Sequence, residues 1–354
     1  MENILIFTDK HRGDFATAVK ENLREGFPYA RIIIIDDMDL HANPILDFIE
    51  NLTNLKVNRE KSDARKVERK INKNIDELPT ATWEFKEEDS YIKMRSFFHK
   101  FRPDVVITIG YGAYQEAIAT RDSLGAQTKV INIIDDYTLN KSLVSPYMDG
   151  YIVENIPLKN ALIECGVSSG KIALSALPIE SKYDDLIERI GNVRLYLDVN
   201  KHTFLYMAKS DTTDHKKVLS ALKEYDEKYN IVVYTGENRE IYKYALKEGL
   251  NAFNEGVSLP MLYDKADVII TTGNSYEISV ARHMGKIVAV SPSELQMEER
   301  NAHYLNSVVV DCTTLHKLKD FMTNFSIGNF YSLKLRSKVV IRPDIAGAIN
   351  KFLG

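Results

Sequence analysis

The sequence predicts an α/β protein made of two doubly wound, Rossmann-like domains in tandem, and three observations lead there. Short β-branched runs alternate with longer amphipathic stretches along almost the whole chain, the pattern of parallel sheets with helices on both faces. Several of the runs are apolar at nearly every position, as strands buried on both faces should be. After the segment Pro178 to Tyr183 and a charged helix reaching Ile190, the alternation starts again. The 354 residues suit two domains, and 44% hydrophobic with 27% charged residues suits an ordinary globular protein.

In the first series the expected strands are Asn3 to Phe7, Arg31 to Ile35, Val105 to Ile109, Lys129 to Ile134, Gly150 to Val153 and Lys171 to Ala173. Helices are expected at Phe15 to Glu25, Tyr91 to Phe101, Tyr114 to Ser123 and Leu158 to Cys165, the last stopped by Gly166 as a left-handed C′ residue. The second series offers strands Thr203 to Met207, Ile231 to Tyr234, Val268 to Thr271, Ile287 to Val290 and Val308 to Val310. Its helices are Asp214 to Tyr229, Glu240 to Glu248, Ser275 to His283, Glu299 to Leu305 and Leu318 to Phe325. The expected domains are residues 1–185 and 186–335, with a cleft between them as the natural ligand site. The tail, 336–354, carries a helix at Pro343 to Phe352 that is expected to pack back on the first domain.

One stretch breaks the alternation. From Lys56 to Lys73 eight basic residues face three acidic ones, a local charge of +5, behind the apolar Ile45, Leu46, Phe48, Ile49, Leu52 and Leu55. Such a segment could rest on an anionic lipid surface; the other reading, a solvated helix or an excursion of the chain, is the one that composition alone slightly favours. The whole chain, with 46 basic and 50 acidic residues, has a net charge of −4, so global charge gives no drive toward nucleic acid and none is expected as a partner. Cys165 and Cys312 form no CxxC pair, which argues against a zinc site or a disulfide framework and for a reducing compartment. No run of apolar residues approaches the length of a spanning helix, and no leader is evident, so a cytoplasmic protein is expected, peripheral on the inner face of the membrane if it meets lipid.

The most informative stretch is DVIITTGNSYEISVARHMGKIVAVSPSELQMEERNAHYL, Asp267 to Leu305. Thr272, Gly273, Asn274 and Ser275 deliver the chain from a strand into a helix N-terminus, where free N–H groups and the helix dipole favour a phosphate. Glu277 in the first turn could accept hydrogen bonds from a vicinal diol such as ribose; an Asn or Ser followed by Glu is also the pattern of a capping box. This block resembles glycosyltransferase family 28, the family of the processive diacylglycerol glucosyltransferases, the monogalactosyldiacylglycerol synthases and the lipid II-forming N-acetylglucosaminyltransferase. The family's donor pocket runs strand, turn, TxxE, xxG, strand and (Q/E)xxNA, matched here by Asn274, Glu277, Gly285, Glu298, Asn301 and Ala302. PDVVITIG, VINIIDDYTLNKSLVSPYMDGYIV, CGVSSGKIALSALPIESKY and IVVYTGENRE resemble further family segments in the same order.

The resemblance implies the GT-B fold, with 1–185 the acceptor-side and 186–335 the nucleotide-sugar-binding domain, and an inverting transfer of a hexose or N-acetylhexosamine from a UDP-sugar to a lipid or other hydroxyl acceptor. It implies that Glu277 holds the ribose and Glu298 the donor sugar, with Glu299 the neighbour most easily confused with it. Gly236 would belong to a donor-side turn, and Phe253 would sit beside the uracil. The chain departs from the family at its glycine-rich turns. The first reads DKHRGDF, with Asp14 at the family's His position and His11 displaced; the loop after the first strand of the second domain carries Lys209, Ser210 and Thr212 in place of glycines. Lys209 would then supply positive charge to the diphosphate, and Ser210 a hydroxyl. A general base is needed, and Asp14 is the first candidate, followed by His11 and Asp136; Asp14 reads equally well as a helix N-cap. No DxD cluster at a strand end calls for a metal, and no cofactor is expected beside the donor. Two alternatives remain: a UDP-sugar epimerase or hydrolase on the same fold, and a non-catalytic partner subunit of an active transferase.

Overall fold

The computed structural model describes residues 1–8, 12–36, 89–110, 114–190, 195–209, 213–337 and 342–353. Two compact units emerge, one formed by Met1–Asp135, Leu139–Glu180 and Arg342–Gly354, the other by Asp136–Thr138 and Ser181–Ile341. The first unit holds β1 (Asn3–Thr8), α1 (Gly13–Gly26), β2 (Arg31–Asp36), α2 (Asp89–Phe101), β3 (Val105–Ile109), α3 (Tyr114–Leu124), β4 (Lys129–Ile133), β5 (Gly150–Val153), α4 (Ile156–Glu164) and β6 (Ile172–Leu174). All its strand pairs are parallel, in the order β2-β1-β3-β4-β5-β6. The strand sequences explain the arrangement: VVITI of β3 is buried at every position, so helices must cover both faces. α4 shows how locally the ends are set. Asn155 accepts from the Leu158 amide, Pro157 occupies the first turn, and Gly166 leaves the helix at φ +91°.

The second unit holds α5 (Leu186–Ile190), β7 (Thr203–Met207), α6 (His215–Lys223), β8 (Asn230–Tyr234), α7 (Arg239–Lys247), β9 (Asn251–Phe253), α8 (Leu259–Lys265), β10 (Val268–Thr271), α9 (Ser275–His283), β11 (Ile287–Val290), α10 (Gln296–Tyr304), β12 (Val310–Asp311), α11 (Leu315–Asn324) and α12 (Ile327–Ser337). Its sheet is again parallel, ordered β12-β11-β10-β7-β8-β9. The chain therefore works outward from β7 to β9, returns to the middle at β10 and works outward the other way. That reversal between β7 and β10 is the topological switch point of a doubly wound sheet.

Several boundaries differ from the sequence expectation. A single helix from Asp214 to Tyr229 is not formed: α6 stops at Lys223, and the Tyr229 hydroxyl instead donates to the carbonyls of Met322 (2.9 Å) and Phe325 (3.0 Å), a tertiary anchor that outweighs helical continuation. The strand expected at Val308 to Val310 starts only at Val310, because the amides of Val308 and Val309 are spent on the Leu305 carbonyl. β9, α8 and α12 were not expected. β9 has three residues, too few for a periodic signal, while α8 is announced by its Ser258 cap and Pro260 but is almost wholly apolar and buried. α10 begins at Gln296 rather than Glu299, which brings Glu298 into its first turn.

The final helix, α13 (Ile345–Leu353), lies in the first unit against α1. The Asn22 side chain accepts from the Ile345 amide (2.8 Å), and the Lys351 ammonium donates to the Ile172 carbonyl (2.7 Å). Gly26 is required by this contact, since a Cβ there would collide with the Cβ of Ala346. Gly26→Ala is expected to destabilise the protein by about 1–3 kcal/mol through overpacking, read as a lower midpoint in chemical denaturation.

Candidate functional site

The switch point of the second unit gathers the chain leaving β7 and the chain leaving β10. From β10 the sequence Thr271, Thr272, Gly273, Asn274 turns into α9, whose first amides are capped: the Asn274 side chain accepts from the Glu277 N–H at 3.1 Å. The Glu277 carboxylate looks to the strand ends. Its Oε2 accepts from the Thr271 hydroxyl at 2.5 Å, and its Oε1 lies 3.4 Å from the Lys209 ammonium that follows β7. Glu277 is only 6% exposed, so its charge is removed from water and stabilised by this lysine and hydroxyl. Lys209 reaches it by passing over Gly236, at φ +52°, where an added Cβ would stand 3.3 Å from the lysine Cγ.

A second buried carboxylate lies beside the first. Glu298 accepts from the Thr272 hydroxyl at 3.0 Å and from the Ser293 hydroxyl, whereas Glu299 is exposed. Gly273 holds the turn against it at φ +102°, with its missing side chain directed at the Glu298 carbonyl, 2.5 Å from where a Cβ would be. Asn301 is fully buried and clamps the same turn: its amide donates to the Gly273 carbonyl (3.2 Å) and to Asp136 (2.9 Å), and its oxygen accepts from the Tyr137 N–H (3.1 Å). Tyr137 completes the clamp with a 3.0 Å hydroxyl contact to Ser279. Asn301 thus works on the geometry of the turn, and Asp136 is its partner. Ser275 is buried at the start of α9, and Phe253, half-buried at the end of β9, gives its carbonyl to the Thr235 amide.

Beneath the two carboxylates sits the Tyr206 phenol, wholly buried and 2.7 Å from His215 Nδ1 at the start of α6. Burial pushes its pKa up; a hydrogen bond with Ser291 opposes this, and the nearby charges of Glu277 and Glu298 add to it. Tyr206 therefore remains a neutral phenol, a fixed dipole under the acidic pair. Sequence reasoning placed Thr272 in the turn without giving its hydroxyl a partner, and it missed Thr271, Ser293, Tyr206 and Tyr137. The available signal was the pair Thr271 and Thr272 at the carboxyl end of an otherwise apolar strand.

The remaining candidates lie elsewhere. Asp14 is exposed in the first turn of α1, one residue beyond the helix's first position; the N-cap position is Arg12. Arg12 in turn pairs through Nε with the buried Asp135 at 2.6 Å and rests against Gly110, so Asp135 and the half-buried Asp136 face different partners. His11, Ser210, Thr212 and the basic stretch Lys56 to Lys73 lie outside the described residues.

No protein-family model matches the chain. Among curated proteins it is similar to the processive diacylglycerol beta-glucosyltransferase of Staphylococcus carnosus, at 23% identity over 226 residues, which is 61% of this chain and 56% of that protein. The chain thus spans about half the length of the curated relatives it matches. Among solved structures it resembles Acinetobacter baumannii MurG (TM-score 0.57, 12% identity, covering 99% of this chain and 98% of that one). It also resembles the S. aureus MnaA–UDP co-structure (0.61, 13%, 98% and 94%) and a UDP-N-acetylglucosamine 2-epimerase (0.57, 10%, 98% and 93%). The fold is the two-domain, Rossmann-like GT-B architecture, and the weak sequence similarity joined to it supports a divergent protein like those of glycosyltransferase family 28. The close approach at Gly273 gives a test that needs no ligand. Gly273→Ala should cost about 1–2 kcal/mol from the left-handed backbone alone, with the clash at Glu298 adding to it, seen as a lowered melting temperature.

Proposed function

We propose that this divergent GT-B protein binds a UDP-sugar at the β7–β10 switch point and transfers its hexose or N-acetylhexosamine to a lipid or other hydroxyl acceptor, with inversion. The observation that carries the reading is Glu277, a buried carboxylate held by Thr271 and Lys209 at the head of α9. In this reading Glu277 accepts from the ribose hydroxyls and Glu298 from the sugar. Lys209, released in part from Glu277, turns to the diphosphate beside the N-terminal amides of α9. The acceptor oxygen forms the new bond to the anomeric carbon as the bond to UDP breaks. The acceptor's proton goes to a carboxylate base, Asp14 being the candidate, and the charge appearing on UDP is met by Lys209 and the helix dipole. A lipid acceptor, the class named for the curated relatives, would suit contact of Lys56 to Lys73 with the inner, anionic face of a membrane.

Calorimetric titration with UDP and a panel of UDP-sugars tests the donor site. Glu277→Ala should weaken UDP by roughly ten- to a hundredfold, the loss of charged hydrogen bonds worth about 1.5–3 kcal/mol. Lys209→Met should weaken UDP about tenfold or more while leaving uridine within about twofold, because only the diphosphate uses the ammonium. Absence of binding by the unaltered protein to every one of these compounds would remove the transferase reading and favour a non-catalytic partner of an active transferase. The similarity to a UDP-N-acetylglucosamine 2-epimerase supports a second reading, in which donor is converted with no acceptor present. Incubating UDP-N-acetylglucosamine with protein alone separates the two.

A further inference from the structure

Tyr206 and His215 put a hydrogen bond into an otherwise apolar layer of the second unit. The Tyr206 hydroxyl and His215 Nδ1 stand 2.7 Å apart, the rings meet edge to face at 5.7 Å, and both side chains are buried. The phenol ring belongs to the same apolar cluster as Val218, Leu219 and Leu222 of α6. A buried polar pair adds little net stability over two apolar side chains of the same shape, because both groups give up water to meet. Its place in the chain tells more. Tyr206 is the fourth of the five residues of β7, and His215 is the first residue of α6. The bond therefore joins the two ends of the connection that carries Lys209, three residues after Tyr206 and six before His215.

The two ends are held in different ways. On the β7 side the backbone stays tied to the sheet as far as Ala208, whose amide donates to the Tyr234 carbonyl at 2.7 Å. The phenol is fixed from the sheet as well, by Ser291, whose own hydroxyl donates to the Thr271 carbonyl at 3.2 Å. On the α6 side, the Asp214 cap on the Lys217 amide (3.3 Å) and the bond from the His215 amide to the Thr213 carbonyl (3.0 Å) lie within the turn itself. Val218, Leu219 and Leu222 press the helix onto the sheet by apolar contact, which is not directional and does not set where the first turn sits. A short hydrogen bond to an immobile phenol does set it. The other lysines of that turn are engaged elsewhere, Lys216 with Glu240 (2.7 Å) and Lys217 with Asp214 (3.1 Å), so Lys209 is the ammonium that this connection directs at Glu277.

We propose that Tyr206 and His215 are a positioning pair for Lys209: their hydrogen bond closes the neck of the β7–α6 connection and so holds the ammonium over Gly236, 3.4 Å from Glu277, ready for a diphosphate. The ligand in this inference rests on the nucleotide reading given above; the geometry does not. A lysine has a flexible stem, and an ammonium that finds its place only after a ligand arrives gives up binding energy to its own ordering. One whose backbone is clamped on both sides gives up less. Gly236 completes the device, since its missing side chain leaves the lysine stem the space to cross.

The test has two arms, both on the full chain. Calorimetric titration with UDP and with uridine compares the unaltered protein with Tyr206→Phe/His215→Leu, which replaces both partners by apolar side chains and so costs less stability than stranding either one. UDP is expected to weaken about five- to tenfold, because the ammonium is displaced rather than removed, and uridine by less than about twofold. His215→Asn alone, whose side-chain amide stands as far along the chain as Nδ1, should bind UDP within about twofold of the unaltered protein. UDP affinity unchanged in the double variant, or uridine weakened as much as UDP, would overturn the proposal. The second arm needs no nucleotide. Lys209→Met and Glu277→Gln, singly and together, give the coupling of that ion pair in chemical denaturation, measured with Tyr206 and His215 intact and again with Phe and Leu in their places. The coupling should be at least about twofold in the unfolding equilibrium constant in the first background and lost in the second. Equal coupling in both, or none in either, would sink the positioning pair even if UDP binds. No UDP binding by the unaltered protein, with the coupling behaving as expected, would remove the nucleotide reading and leave the positioning pair standing.

Discussion

The reversal of strand order between β7 and β10 governs the second unit. At every other position in a doubly wound sheet a connection crosses over the strand ends and covers them; where the winding changes direction, two neighbouring ends are left with their connections departing to opposite sides. The polar groups collected there follow from that vacancy. Thr271, Thr272 and Lys209 stand at the strand ends, and Glu277 and Glu298 come in on the first turns of α9 and α10. Two carboxylates under a tenth exposed would be a liability in an ordinary core, costing several kcal/mol each if unpartnered. Here each has hydroxyl donors, and Glu277 has an ammonium as well, so both are partnered within the protein.

The departures from the family pattern then make physical sense together. A glycine-rich loop binds a diphosphate through backbone amides, which requires the chain to come close and therefore forbids side chains. This chain keeps a side chain at that place and makes it a lysine, whose stem passes over Gly236 and whose head meets Glu277. Gly236, at the neighbouring strand end, makes room for that side chain. Gly273 holds the turn in a left-handed conformation against the Glu298 carbonyl.

Most of the architecture could be read from the residues because its strands are short, apolar and bounded by breakers, as VVITI between Asp104 and Gly110 shows. What escaped were elements without a period of their own. β9 is three residues long and exists because β8 pairs with it, and α12 looks like a loop until Phe330 and Leu333 find the core. At the site, Glu277 and Glu298 were visible through motif spacing and Lys209 through the absence of glycine. Arg12 and Tyr206 were not, since an arginine beside a helix start and a tyrosine in a strand are commonplace until Asp135 and His215 are seen opposite them.

Asn301 shows why resemblance identifies a position better than it identifies a role. The motif places it among donor contacts, yet its two donor hydrogens and its oxygen are all engaged within the protein, by the Gly273 carbonyl, Asp136 and the Tyr137 amide. A primary amide has few sites to offer, and these three bonds leave at most one lone pair of the oxygen in a fully buried setting. Asn301 is therefore best understood as a positioning residue: it fixes the Gly273 carbonyl, Gly273 fixes the entry to α9, and α9 fixes Glu277. The chemistry proposed for this unit rests on the carboxylates and the lysine, and their geometry rests on one buried amide that need not touch substrate at all.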